Sequence, residues 1–332
     1  MTYAKHVLPL VAFLAGCGEV KNTSDSDDGS GSGGEPGASC DTTINEVTPL
    51  NGATEHYYLD PIVFELSEAD PTARVEAPFS GETTVSEDGL TITYTPNEPL
   101  APSTTYDVTL SFCRGEPTVS FTTSHYGAPL EASTELEGAT FTLSFTGGEM
   151  LIGENAGELM NAIFRWPILV QIVDVDGAYL NVLAGIGLEG VEPVQQNTCA
   201  RTIEMNQIPT ADLPYVSGRV EDSTFGAYGG EIRFESFDFD TTISADGQSI
   251  GGMRYDAVFG VDEIVELLPD FGDVDSLCAL ASNLDIPCEP CPSDEDLSCI
   301  RVSSHHIQGT RVDNTLVPIT EPGTHEDCDL DA

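Results

Sequence analysis

A mainly β chain, built as two successive folded regions, is what this sequence predicts, and three observations predict it. Apolar residues alternate with period two in short runs such as PIVFELS and LTITYTP, the pattern of half-buried strands. Asp-Gly pairs at 88–89, 176–177 and 246–247 fall between such runs, where two-residue hairpin turns belong. From residue 40 to 123 nothing carries a helical period, and only short stretches further on do.

Residues 1–16 open with Lys5 and His6, continue through VLPLVAFLA and hold no acid, a signal-peptide layout. The apolar stretch is about half of the ~20 residues that a spanning helix needs, so a permanent transmembrane helix is not expected. Leu14-Ala15-Gly16-Cys17 resembles the lipobox of bacterial lipoproteins. That resemblance implies that the Cys17 thiol takes a diacylglyceryl group, that the chain is cut before it and that the new amine is acylated. A single acyl chain anchors only marginally, whereas two or more hold essentially permanently. Gly18, where some lipoproteins carry Asp, implies transport to an outer membrane. The expected location is the cell envelope, as a surface-exposed outer-membrane lipoprotein. The expected partners are the lipid bilayer, through acylated Cys17, and an extracellular protein or glycan.

After Cys17 the segment EVKNTSDSDDGSGSGGEPGAS is almost wholly polar, Gly or Pro, so it cannot bury enough apolar surface to offset the entropy of ordering. Residues 17–39 therefore read as a lipidated cysteine followed by a disordered tether.

Residues 40–124 carry closely spaced strand signals: PIVFELS, TTVSE-DG-LTITY, TTYDVTLSF and PTVSFTT. About eighty residues with this rhythm have the size of an immunoglobulin-like β-sandwich. TPLNGATEHYYLDPIVFELSE, DGLTITYTPNEPLAPSTTYDVTLS and VSFTTS resemble the bacterial Ig-like domains of surface-layer and other exported proteins. The resemblance implies a spacer or protein-contact module with no catalytic residues.

Residues 125–332 read as a larger β-rich domain with a few short helices. ILVQIVDV-DG-AYLNVLAGI and FDFDTTISA-DG-QSIGGMRYDAVF are hairpin patterns. In GEIRFESFDFD the parity of Ile232 and Phe234 is opposite to that of Phe237 and Phe239, so a β-bulge near Glu235-Ser236 is expected. Helices are expected over ENAGELMNAIF, DEIVELL and DVDSLCALASNL. CEPCPSDEDLSCIRV resembles a part of other predicted lipoproteins of unknown function, which implies no activity.

A formal net charge of −45, with only 11 Lys and Arg against 56 Asp and Glu, repels nucleic acid and anionic headgroups. With 40% hydrophobic residues the chain is no disordered acidic tail; the charge reads as a solvated surface suited to salty surroundings, where screening is short-ranged.

The motifs argue mostly by exclusion. GIGLEG at 185–190 matches a dinucleotide fingerprint, but VEPVQQNTC follows it in place of a helix N-terminus, and no cofactor is expected. Asp174 and Asp176, and Asp270, Asp273 and Asp275, are calcium candidates by their oxygen chemistry; a tight turn and a helix N-cap explain them more simply. The hydrolytic signature H-E-x-x-H is missing. His305 and His306, taken to lie at the end of a strand, should point to opposite faces and so should not share a metal. Cys40, Cys113, Cys199, Cys278, Cys288, Cys291, Cys299 and Cys328 are an even set in an exported chain and are expected to form disulfides, with Cys40 and Cys113 as one pair. Zinc at Cys288, Cys291, Cys299 and one histidine is the rival, without a second C-x-x-C to complete it. The expected function is a membrane-anchored surface lipoprotein with a non-catalytic binding, adhesion or envelope-structural role. The alternative is an exported hydrolase whose distal domain hides an unrecognised site. A binder should show an apolar patch, and a hydrolase convergent His, Asp and Glu groups in a concave pocket.

Overall fold

The computed structural model describes residues 40–132, 134–152, 157, 166–188, 190–227, 230–267, 272–325 and 328. The segment from Asp41 onward is one compact unit, mainly β with short helices. Cys17, the tether, Asp270 and the helix expected over residues 154–164 lie outside the described residues, apart from Gly157, which is helical.

The first region runs through β1 (Ile44–Thr48), β2 (Ala53–His56), β3 (Ile62–Leu66), β4 (Arg74–Glu76), β5 (Gly81–Val85), β6 (Thr91–Pro96), β7 (Thr105–Ser111) and β8 (Thr118–Thr123). These form two four-stranded sheets, β1-β3-β6-β5 and β2-β8-β7-β4. Their inward residues are those that the alternation selects: Ile62, Phe64 and Leu66 from one sheet meet Val108, Leu110 and Phe121 from the other in a shared core.

The second region contains β9 (Thr140–Leu143), β10 (Glu149–Ile152), β11 (Ile168–Asp176), β12 (Tyr179–Ile186), β13 (Ile203–Pro209), β14 (Tyr215–Ala227), β15 (Gly230–Ile243) and β16 (Ser249–Gly260). Helices α1 (Val261–Leu267) and α2 (Val274–Asn283) follow, then β17 (Glu289–Pro290) and β18 (Ser298–Val312). Eight strands form one path, β13-β12-β11-β9-β18-β16-β15-β14, with β10 and β17 attached to β18. The path curls into a nearly closed barrel, since Met205 of the first strand and Val220 of the last line the same interior space.

The hairpins form at the expected Asp-Gly pairs, and two of them share one mechanism. In Ser86-Glu-Asp-Gly and Ser244-Ala-Asp-Gly, each serine hydroxyl donates to the aspartate two residues on, at 2.7 Å in both. Each serine oxygen also accepts the backbone N–H five residues on, at 2.9 Å in both. The register of β15 against β16 shifts between Phe234 and Ser236, the bulge expected from the phenylalanine parity. It turns Phe234, Phe237 and Phe239 all toward the interior.

Sandwich and barrel meet through aromatic rings. Tyr57 stacks on Tyr126 at 6.1 Å between centroids, and Tyr58 meets Tyr215 edge-on at 4.9 Å. Tyr126 lies over Gly251 of β16, and Tyr57 and Tyr58 lie over Gly252. A Cβ on Gly251 would come within 2.3 Å of the Tyr126 ring and one on Gly252 within 2.8 Å of Tyr57, so only glycine lets the rings approach. Burial drives the Tyr58 hydroxyl up to about 12, so it stays a neutral phenol.

Candidate functional site: the barrel interior and the histidine junction

The barrel's inner face is apolar because its strands alternate. Ile168, Val170 and Ile172 of β11, and Leu180, Val182 and Ala184 of β12, point inward. Leu169 and Leu183 point outward, where Leu316 covers them. Outside the barrel the same period places charge: Arg219 faces Asp238 across β14 and β15 at 3.2 Å, and Arg301 pairs with Asp256 at 2.7 Å. A membrane barrel carries its apolar band outward; this polarity is the reverse, with the apolar face enclosed.

The enclosed side chains do not fill the space. A cavity of about 100 Å³ remains, and among the described residues Thr241 is the one lining side chain with a polar atom. An engineered apolar cavity of ~150 Å³ stays dry and admits benzene, so this space suits a small ring or a short alkyl chain. Val261 and Ile264 of α1 and Leu277 of α2 pack into the same core at the end where β16 finishes. At the other end the segment leading into β9 is held to the β15–β16 turn, with Glu131 N–H donating to Ala245 O and Thr134 Oγ1 donating to the same oxygen.

A second concavity, of about 430 Å³, lies along the facing edges of β13 and β14. Among the described residues neither edge is paired: β13 bonds only β12, and β14 only β15. The two spaces share Met205, Ile208 and Val220.

A polar cluster occupies the sandwich–barrel junction. His305 and His306 lie inside β18, not at its end, and their side chains do not diverge. Between Ser304 and Ile307 the register against β16 slips by one residue, and His306 has φ +59°. The bulge puts both imidazoles on one side, stacked at 3.8 Å with 13° between planes. The expectation that the pair must point apart fails because it assumed an unbroken two-residue period.

Asp60, from the loop after β2, accepts from His306 Nε2 at 2.5 Å, and its Oδ1 lies 4.0 Å from His305 Nδ1. Glu149 of β10, opposite His305 in register, reaches His305 Nε2 at 3.2 Å and His306 Nδ1 at 3.5 Å. Burial opposes ionisation of Asp60, but the hydrogen bond and charge of His306, with His56 and His305 nearby, outweigh it and hold the carboxyl below its ordinary value. Burial also disfavours a charged His306, yet Asp60 and Glu149 lift its pKa above the ordinary value. Burial and the His306 charge keep His305 low, and burial keeps His56 low. These directions favour an Asp60–His306 ion pair flanked by neutral His305 and His56.

One ligand atom each from Asp60, His305 and His306 lies within 4.8 Å of the others, a donor set that suits zinc by type. Geometry opposes it: an imidazole ligates along a lone pair in its ring plane, and lone pairs of stacked, near-parallel rings do not converge. A ring would have to rotate before a metal bound. Glu235 with Cys291 and Cys299 is a second grouping, but those two sulfurs are bonded to each other. The Glu235 carboxylate instead accepts from Ser293 N–H at 3.1 Å and Ser293 Oγ at 2.8 Å.

Cys199 joins Cys328, Cys278 joins Cys288, and Cys291 joins Cys299; Cys40 and Cys113 are half-cystines as well. None of these offers a thiolate to a metal. Asp273 caps α2, accepting from Ser276 N–H at 2.9 Å, and Asp275 lies in that helix's first turn. Asp174 accepts from Asn181 at 3.2 Å, and Asp176 ends β11 at the turn.

No family model matches the chain, and no curated protein does. An L,D-transpeptidase from Mycobacterium smegmatis is similar over 47% of this chain and 79% of its own, at 14% identity and a TM-score of 0.21. A likeness at that level carries no inference about fold or activity.

Proposed function

We propose that this chain is an envelope lipoprotein, held to an outer membrane through acylated Cys17, whose barrel binds a small apolar ligand. The observation that carries the binding half is the unfilled interior of about 100 Å³ with its apolar lining, the form that ligand sites in small barrels take. Leu14-Ala15-Gly16-Cys17 and the polar segment after it support the anchor and tether. The two-sheet arrangement over 44–123 supports an Ig-like spacer that sets the barrel away from the lipid and offers a surface to an extracellular protein or glycan.

Met205 and Met253 line the cavity, whereas Met150 packs against the core without lining it. With methyl-¹³C methionine in the full mature chain, hexan-1-ol should shift the Met205 and Met253 signals saturably and leave Met150 in place. Equal, non-saturating drift of all three would refute interior binding.

Gly247-Gln248-Ser249-Ile250-Gly251 fits G-x-S-x-G, but Ser249 follows a hairpin turn into β16 and not a turn into a helix; what favours the hydrolase reading is the Asp60–His305–His306 cluster. It borders neither of the two concavities described above, and among the described residues the recorded hydrogen bonds of His305 and His306 go to Asp60 and Glu149. Binding of one zinc per chain, lost in His305→Ala, would promote that reading.

A further inference from the structure

We infer that the β13–β14 seam is the door to the barrel interior, and that the ligand is a small amphiphile whose polar end is uncharged or cationic. The inference rests on the binding reading above and adds to it a route and a ligand class.

The seam is fastened at both ends. The turn 210–214 joins the two strands at one end, where Tyr215 N–H donates to Asp212 O at 2.9 Å. At the other end Gly226 N–H donates to Arg201 O at 3.3 Å, and Arg201 pairs with Glu231. Gly226 is needed there, because a Cβ would fall 2.3 Å from Arg201 N.

Between the fastenings the edges stay apart for a local reason. Each carries a non-glycine residue in the left-handed region, Gln207 at φ +62° and Asp222 at φ +41°. The register of β13 against β12 also shifts between Met205 and Ile208. Such conformations persist only where the surrounding structure imposes them, and a bulge kinks its strand and re-aims the groups on its free edge. The unpaired middle is the cleft of about 430 Å³, and Met205, Ile208 and Val220 form the partition between it and the interior. Three apolar side chains, one of them a flexible methionine, are an easier barrier to displace than a hydrogen-bonded strand pair.

The rim selects by charge. Glu204, Glu221 and Asp222 face the cleft against Arg219; its guanidinium is already bonded to Glu221 at 2.6 Å and Asp238 at 3.2 Å, and Asp222 is paired with Arg233 at 3.0 Å, so the acids still outnumber the cations. A carboxylate or phosphate at the mouth meets net negative charge and a committed cation. A hydroxyl or ammonium finds acceptors, and the unpaired strand edges add backbone hydrogen-bonding groups. The apolar end then lies inside and the polar end stays in the cleft.

The test uses the full mature chain and three probes of one length: hexan-1-ol, hexylamine and hexanoate, followed at the Met205 and Met253 methyl groups at pH 7. Hexanol and hexylamine should half-saturate at concentrations at least ten-fold below hexanoate. Glu204→Lys with Asp222→Lys should erase that gap, while Glu82→Lys with Glu87→Lys on the sandwich should not. For the route, Glu231→Gln loosens one fastening and should raise association and dissociation rates of hexanol together, several-fold, with their ratio unchanged. Asn206→Trp with Ser217→Trp crowds the mouth and should slow both. Hexanol binding with wild-type rates in every seam variant overturns the door, and hexanoate binding as well as hexanol overturns the ligand class; both leave interior binding intact. Absence of any hexanol binding overturns all three.

Discussion

In the sandwich, Phe64 and Phe121 are 0% and 1% exposed and meet across two sheets with aliphatic residues packed around them. In the barrel, Phe237, Met253 and Val182 look into a space that none of them fills. Both regions use the same Ser-x-Asp-Gly loop to make a hairpin, so the difference is not one of local chemistry. Two stacked sheets can draw together until their side chains touch, because nothing fixes the gap but the side chains themselves. A barrel's radius is set by its strand number and stagger, and eight strands leave room that side chains either fill or leave to a ligand. The closed sandwich is what structural filling looks like in this chain, and the barrel departs from it.

The largest expected effect concerns how the barrel is held. Cys199–Cys328 spans 129 residues of sequence, against 8 for Cys291–Cys299. Loop-closure entropy then gives roughly 5 kcal/mol for the long link and roughly 2 to 3 kcal/mol for the short one. Trp166 is the sole tryptophan and is buried in the barrel core, so its fluorescence reports the barrel's urea transition alone. Cys199→Ser with Cys328→Ser should lower that transition about twice as much as Cys291→Ser with Cys299→Ser. Equal shifts would mean that the unfolded chain is not what these links constrain.

Next comes the junction. Asp60→Asn removes a charge-assisted hydrogen bond from a half-buried imidazolium, at about 2 kcal/mol. The pH dependence follows from the two directions. Asp60 lies below its ordinary 3.8, so its contribution is present above that value and is lost as pH falls through the folded pKa. His306 lies above its ordinary 6.5, so its contribution is present below 6.5 and is lost as pH rises through the folded pKa. The pair therefore contributes most between about pH 4 and 6.5. Proton NMR should show the His306 pKa fall in Asp60→Asn; an unchanged value would mean that the ion pair does not form.

The last contrast sets the two interiors side by side, and its barrel half is the smallest effect. Val108→Phe should cost the filled sandwich about 1 to 3 kcal/mol through overpacking. Ala184→Leu, which grows into the barrel cavity, should change stability by less than about 1 kcal/mol while abolishing hexanol binding. A large loss in the barrel variant would show that the space is already filled in solution.

How much of this was legible in the sequence varied with how local the cause is. The Asp-Gly hairpins and the Asp273 cap follow from residues within a few positions of one another. The bulge at Glu235 was readable because four aromatic or aliphatic residues change parity around it. The bulge at His306 was not, since no flanking pattern marks it, and without it the His305–His306 stack with Asp60 is invisible. Asp60 lies more than two hundred residues before these histidines, so only the junction brings it to them. The even cysteine count pointed to disulfides, but six distal cysteines allow fifteen pairings and spacing does not choose among them. The seam was out of reach for a related reason: β13 and β14 are neighbours in sequence, and a simple hairpin is the default for such a pair.

A dry, ligand-sized space inside the barrel, which the sandwich lacks, is what the binding proposal requires. A crystal of the mature protein pressurised with xenon tests it most directly, since xenon enters empty apolar cavities. One well-occupied xenon is expected inside the barrel, in contact with Phe237 and Met253, and none between Phe64 and Phe121. A barrel without xenon, or a sandwich that takes it equally, would contradict it.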